Sequence, residues 1–324
     1  MFYHCKKKET CDTLHLLYEF SRRKPEKYRG NTRMINPVAF SLFGLQIHYY
    51  GILAACGFLA SLAVLQYKRA YARMSSDQIV DLSIIVIFCG IAGARIAYVI
   101  QFFDQFRGTL WKVFRIDQGG LVFYGGFILA ALVIFLYIRK HKLSISRILD
   151  ICAPAMAIGH AFGRVGCFIQ GCCYGAPCKG MGVIYPPGSE AARRFPDLGS
   201  IHENLRAGLG AVPSSQQLLP VQLLESAGNL LIGIGLLLLF KKVRKTGWIA
   251  GTYFLAYGIL RFILECFRGD HADNWAGLTR AQWVGLGIMI PAGIFCFLYF
   301  KKNGEDAQSL PPAPEKENHA GKTM

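Results

Sequence analysis

Apolar residues gather into seven runs, each near the roughly 20 residues that a membrane-crossing helix needs. They are Ile47 to Gln66, Ile79 to Phe103, Gly119 to Ile138, Leu149 to Phe168, Val221 to Phe240, Gly247 to Phe267 and Ala281 to Phe300. This pattern predicts an all-α integral membrane protein, a bundle of seven transmembrane helices. In a chain of 324 residues, 53% of them hydrophobic, seven spans leave little for soluble domains. Only Gly171 to Pro220 is long enough for a small extracytoplasmic head, and its Gly, Pro and Ser content reads as surface loops. The expected division is a basic N-terminal extension over 1–33, a seven-span domain over 34–302 with its head at 171–220, and a disordered cytoplasmic tail over 303–324.

Charge orients the bundle. Three connections are rich in basic residues: Lys68, Arg69 and Arg73, then Arg139, Lys140, Lys142 and Arg147, then Lys241, Lys242, Arg244 and Lys245. They alternate with connections poorer in positive charge for their length. The positive-inside rule puts these three, and the tail at Lys301, in the cytoplasm, with Gly171 to Pro220 outside. The net charge of +16 is then a matter of topology and contact with anionic lipid. No basic patch interleaved with stacking aromatics stands outside the spans, so no nucleic-acid partner is expected. Residues 1–33 break the rule, carrying nine basic residues from Lys6 to Arg33 on what the odd number of spans makes the outer side. They lack the apolar core of a signal peptide. Met34, opening MINPVAFSLFGLQIHYYG, is the expected natural start.

Two arginines lie inside apolar runs, Arg164 in AMAIGHAFGRVGCFIQG and Arg261 in GTYFLAYGILRFILECF. A guanidinium keeps its proton, and in hydrocarbon it costs about 3 kcal/mol or more, so it needs an anion or an aqueous cavity. At 1.5 Å per residue, Arg164 lies about 22 Å from the cytoplasmic end of its run, Arg261 about 21 Å and Arg95 about 24 Å. Tyr124 and Glu225 fall at similar levels, and His48, Tyr49 and Tyr50 sit at the outer mouth of the first run. Polar groups from five runs thus converge on one layer in the outer third of the bilayer, as an anion site would require. Each has a simpler reading too. Arg261 and Glu265 are four apart and neutralise one another on one helix face; Arg95 is a structural arginine capped by carbonyls; Tyr124 and Tyr49 belong to an interfacial belt; Glu225 favours a helix start. Arg164 has the weakest simple reading, because no acidic residue stands three or four positions away.

These residues resemble a known family. GHAFGRVGCFIQGCCYG resembles the signature of prolipoprotein diacylglyceryl transferases, a Gly-Arg-x-Gly-Asn-Phe-x-Asn-Gly-Glu pattern running from a membrane helix into the extracytoplasmic head. NPVAFSLFGLQIHYYG, GARIAYV, GGLVFYGG, LPVQLLE and YGILRFILECFRGD match other parts in order, so the likeness covers Asn36 to Phe300. It implies transfer of the diacylglyceryl group of phosphatidylglycerol to the lipobox cysteine thiol in the signal peptide of a preprolipoprotein, with glycerol phosphate released. It also implies a bacterial plasma membrane protein, taken to be monomeric in the bilayer, with no cofactor or metal. Arg164 and Arg261 would hold the lipid phosphate and stabilise its departure, since arginine forks give bidentate, permanently charged donors. Tyr50, His48, Arg95, Gly163, Gly166, Gly171, Glu265 and Arg268 would complete the substrate site.

Departures from the family pattern affect the acid–base chemistry. Tyr124 stands in place of a histidine, Cys167 and Gln170 replace asparagines, and Cys172 replaces an acidic residue. Thiolate is the nucleophile in such a reaction, so the substrate thiol needs a base. His160, one turn before Arg164 on the same face, is one candidate, and Glu225 and Tyr124 are others. Cys167, Cys172, Cys173 and Cys178 crowd together in C-x4-CC-x4-C, which is not standard zinc spacing. In an oxidising compartment one or two disulfides are expected there. Two further classes remain open: a membrane thiol-redox or metal-handling protein working through these four cysteines, and a transporter or binding protein for an anionic lipid headgroup.

Overall fold

The computed structural model describes residues 37–42, 45–106, 111, 113, 120, 122–178, 180, 182–197, 200, 214–243, 245–270, 274–275 and 277–303. The N-terminal extension, the expected start at Met34 and the tail from 304 onward lie outside the described residues.

A short antiparallel hairpin, β1 (Val38–Leu42) and β2 (Leu45–His48), leads into α1 (Tyr49–Lys68). There follow α2 (Ser76–Gln101), α3 (Phe123–Lys140) and α4 (Ile145–Gln170). The next segment holds a short helix, α5 (Glu190–Arg194), and an antiparallel pairing of β3 (Pro196–Asp197) with β4 (Ser214–Ser215). Then come α6 (Val221–Leu239), α7 (Trp248–Glu265) and a small hairpin of β5 (Asn274–Trp275) and β6 (Leu278–Thr279). The last helix is broken into α8 (Arg280–Val284), a π-helical turn (Gly285–Met289) and α9 (Ile290–Asn303). Pro291 explains the interruption, because it offers no N–H to the preceding turn. The protein is mostly helical, and among the described residues five helical stretches are long and apolar enough to cross a membrane: α1, α2, α4, α6 and Arg280–Lys302. Helices α3 and α7 have 18 residues each.

Two compact units divide the chain. One takes in the described residues up to Gly57, Ile158–Ile232 and Leu255–Pro291; the other takes in Phe58–Ala157, Gly233–Phe254 and the described residues from Ala292.

In the second unit, α2 starts at a capping box: Gln78 N donates to Ser75 Oγ while Ser75 N donates to Gln78 Oε1. Its far half packs closely on α3, since a Cβ at Gly93 would lie 2.5 Å from the Gly125 carbonyl oxygen. Small residues permit that approach, as they do in membrane helix pairs generally. Ile79, Leu82, Ile138, Ile148 and Ile151 form the apolar core. Asp150, fully buried, accepts from Gly247 N at 2.7 Å and Ala250 N at 2.9 Å at the start of α7, and from Tyr71 Oη at 2.7 Å. It satisfies donors that a helix start leaves without intrahelical partners. Asp150→Ala should therefore orphan two buried backbone donors and the half-buried Tyr71 hydroxyl, and cost about 3 kcal/mol or more. Unfolding in detergent with circular dichroism checks this, and an unchanged midpoint would refute it.

In the first unit, the segment after α4 departs from the surface-loop expectation. Tyr174, Tyr185, Ala191 and Leu218 are buried together, with Phe168 and Phe195 packed against them, and Ser214 and Ser215 are buried as well. Aromatic residues spaced among the Gly and Pro positions supply a core that loop composition obscures. Tyr185 Oη donates to Gln222 Oε1, and burial pushes its phenol up to about 12.

Candidate active site

Buried ionic groups converge in the first unit around Glu225, the fifth residue of α6, which is fully buried. Arg164 of α4 brings Nη2 to 3.0 Å from Glu225 Oε1, and Arg261 of α7 brings Nη1 to 3.9 Å from Oε2. Arg164 thus finds its carboxylate on another helix, where spacing along its own helix showed none. Arg261 Nη1 also lies 2.7 Å from Glu265 Oε2, the pair expected from their spacing of four. Thr279 Oγ1 donates to Glu265 Oε1 at 2.8 Å, and Arg268 Nε lies 3.7 Å from Oε2. Arg268 in turn forks onto Asp270, with Nε on Oδ1 at 2.9 Å and Nη2 on Oδ2. Three guanidinium groups thus face three carboxylates.

Charge is balanced, yet hydrogen bonding is not. The Glu225 oxygens and Arg261 Nη1 lie close to opposite charge without an aligned hydrogen bond among the described residues. Alignment decides the strength of such contacts. The cluster therefore keeps donor and acceptor capacity that an incoming anion and an incoming proton can use. His160 is tied in through its lone pair: Arg164 Nε donates to His160 Nε2 at 3.1 Å, so its ring proton belongs on Nδ1. The Tyr257 ring lies tilted against His160, with centroids 5.4 Å apart, and Tyr257 lies within electrostatic reach of Arg164. Ser226 Oγ donates to the Ala161 carbonyl at 2.8 Å, joining α6 to α4 beside the site.

The other sequence-selected residues are placed as follows. The Tyr50 ring packs on Gly166, where a Cβ would meet Tyr50 Cδ2 at 2.9 Å; Gly163 faces open space; Gly171 turns the chain at φ 71°. His48 ends β2 with Nδ1 buried and no hydrogen-bond partner among the described residues. Arg95 and Tyr124 belong to the other unit. There Arg95 donates from Nε to the Val113 carbonyl at 2.8 Å and from Nη1 to that of Gly120 at 3.0 Å, while Tyr124 is 70% exposed near the start of α3. Sequence reading missed Tyr257, although its position four residues before Arg261 marks the same helix face. It also missed Thr279 and Asp270, which no spacing rule singles out.

A turn holds the cysteines beside this cluster. The Sγ atoms of Cys167, Cys172 and Cys173 lie within 4.8 Å of one another; Cys178 is not part of that group. Cys167, Cys172 and Cys173 are free thiols, so no disulfide joins these three. The neighbouring thiols, Cys167 first, hold Cys173 below the ordinary thiol range, with Arg268 and Arg164 adding to the effect and burial opposing it. Gly175 N donates to the Leu219 carbonyl and Ala176 N to that of Phe267, both at 2.9 Å, so the turn is pinned to the ends of α6 and α7.

A family model described as prolipoprotein diacylglyceryl transferase matches residues 37–299. The chain belongs to that family. It is 31% identical over 264 residues to the phosphatidylglycerol–prolipoprotein diacylglyceryl transferase of Clostridium tetani, covering 81% of this chain and 97% of that protein. To the protein of the same name from Finegoldia magna it is 33% identical, over 82% of this chain and 96% of the relative. The Clostridium kluyveri protein shares 31% identity over 84% and 99% of the two chains. Membership makes this transferase-family chain a multi-pass bacterial membrane protein, and the thiol-redox or metal-handling reading is not favoured.

Proposed function

We propose that this chain transfers the diacylglyceryl group of phosphatidylglycerol to the lipobox cysteine thiol of preprolipoproteins, releasing glycerol phosphate; its relatives are named phosphatidylglycerol–prolipoprotein diacylglyceryl transferases. The observation that carries the reading is a fully buried Glu225 set between Arg164 and Arg261. In this reading Glu225 takes the proton of the substrate thiol. The thiolate attacks the diacylglycerol carbon that bears the phosphate ester, a C–S bond forms, and the C–O bond breaks with its electron pair going to phosphate oxygen. Once protonated, Glu225 loosens its hold on the two guanidinium groups, which turn their forks to the phosphate as charge builds there. His160, its Nε2 already accepting from Arg164, positions that arginine. Purified protein, supplied with phosphatidylglycerol carrying a labelled diacylglyceryl group, should label a lipobox peptide, and the gene should rescue a strain depleted of its own transferase. Folded protein that does neither would sink the proposal.

The transferase domain over 34–302 is proposed to act as a monomer with seven crossings. Helices α3 and α7 join the five longer stretches, since 18 residues span about 27 Å against a core of about 30 Å. The segment 171–220 then faces outward and the C-terminus the cytoplasm. Arg193 is exposed on α5, whereas Ser214 is buried. An Arg193→Cys variant should gain one label over the parent from an impermeant maleimide on intact spheroplasts. A gain seen only after lysis would invert the topology.

A further inference from the structure

We propose that Cys167, Cys172 and Cys173 form a three-thiolate binding site for a thiophilic d10 cation of the zinc class, with water as its fourth ligand. Sequence spacing argued against zinc, but geometry brings three of the four crowded thiols together. Their Sγ atoms all lie within 4.8 Å of one another, and zinc–sulfur bonds of about 2.3 Å need sulfur–sulfur edges of about 3.8 Å, so a closure of about 1 Å suffices.

The backbone is shaped for this convergence. Helix α4 ends at Gln170, Gly171 takes φ 71°, and Cys173 takes φ 58°, a left-handed conformation uncommon outside glycine. That turn sends residues 172 and 173 back towards Cys167, and Cys172 N donates to the Cys167 carbonyl at 3.2 Å. Gln222 Nε2 of α6 donates to the Cys172 carbonyl at 2.8 Å and anchors the turn. Strained conformations of this kind persist where the surroundings over-determine them, and they gather at functional sites.

Charge favours the bound form. Three thiols release three protons on binding a divalent ion, leaving a complex of net charge −1. Arg164 and Arg268 both act electrostatically on Cys173 and would neutralise it. Metal held there would tie the end of α4, which carries Arg164, to the turn that opens the segment 171–220. The three cysteines take no part in the proposed transfer steps, and the test of the site does not read activity.

The experiment uses full-length protein in detergent, reduced and freed of metal by chelator, and titrated with cadmium as a spectroscopic surrogate. A thiolate-to-cadmium charge-transfer band should rise to one equivalent, and a large excess of zinc should lower it by competition. Cys173→Ser should weaken binding at least tenfold, whereas Cys178→Ser should retain it. Cys167→Ser and Cys172→Ser serve as independent variants if Cys173→Ser fails to fold. Zinc should raise the thermal midpoint of the parent and not that of the site variants. No band at one equivalent, a band indifferent to the three substitutions, or a disulfide among these cysteines in protein isolated without reductant would each overturn the site.

Discussion

Arg164→Lys and Arg261→Lys should each lower diacylglyceryl transfer about a hundredfold or more, roughly 3 kcal/mol of transition-state stabilisation, while leaving a folded protein. Lysine keeps the charge and loses the fork. At position 164 the fork has two separate tasks, since Nε reaches His160 and Nη2 reaches Glu225. One ammonium cannot hold both directions and still present two parallel donors to a phosphate. At position 261 the charge also faces Glu265 at 2.7 Å, and lysine could satisfy that partner alone. The two variants therefore separate counterion from anion grip. The assay is transfer of labelled diacylglyceryl to a lipobox peptide, with thermal stability measured in parallel. Near-normal turnover in both lysine variants would remove the anion site, and with it the physical reason for assigning the chemistry to this cluster.

The parts of this arrangement that were legible in the sequence are those governed by local rules. Run length announced the helices, because a bilayer fixes about 20 residues per crossing. A spacing of four announced the Arg261–Glu265 pair, and an uncompensated Arg164 announced that some anion must meet it. Which anion was not legible. Glu225 lies 61 positions from Arg164 along the chain, and only the packing of those parts of α4 and α6 that fall in the first unit brings them to 3.0 Å. Equal depth placed Arg95 on the same level, but depth says nothing about lateral position, and the Val113 and Gly120 carbonyls already occupy that guanidinium. The segment after α4 misled for a different reason. Gly and Pro marked turns correctly, while Tyr174, Tyr185 and Leu218, scattered between turns, carry no periodicity from which a core can be read. The cysteines show the same limit: C-x4-CC-x4-C resembles no metal motif, and it is two left-handed residues that fold three of the thiols together.

Glu225→Gln should have the most informative consequences of any single change, because it keeps shape and removes charge. Breaking a buried ion pair by neutralising one partner costs about 3–5 kcal/mol, since the remaining charge stays buried without compensation. Here two arginines lose their shared carboxylate, so the thermal midpoint in detergent should fall. Inorganic phosphate or glycerol phosphate should restore it, and more strongly than in the parent, because the anion fills the place that Glu225 vacates electrostatically. Transfer should nonetheless fall about a thousandfold, the usual scale for losing a positioned general base. The two readouts discriminate between roles. A counterion alone would give a protein that phosphate stabilises and that still turns over; a base would give one that phosphate stabilises and that does not. Glu225→Asp supplies the intermediate case, keeping charge while withdrawing the carboxylate by one methylene, and should retain stability better than activity. Turnover within tenfold of the parent in a folded, phosphate-stabilised Glu225→Gln protein would leave Glu225 as a counterion and move the base elsewhere.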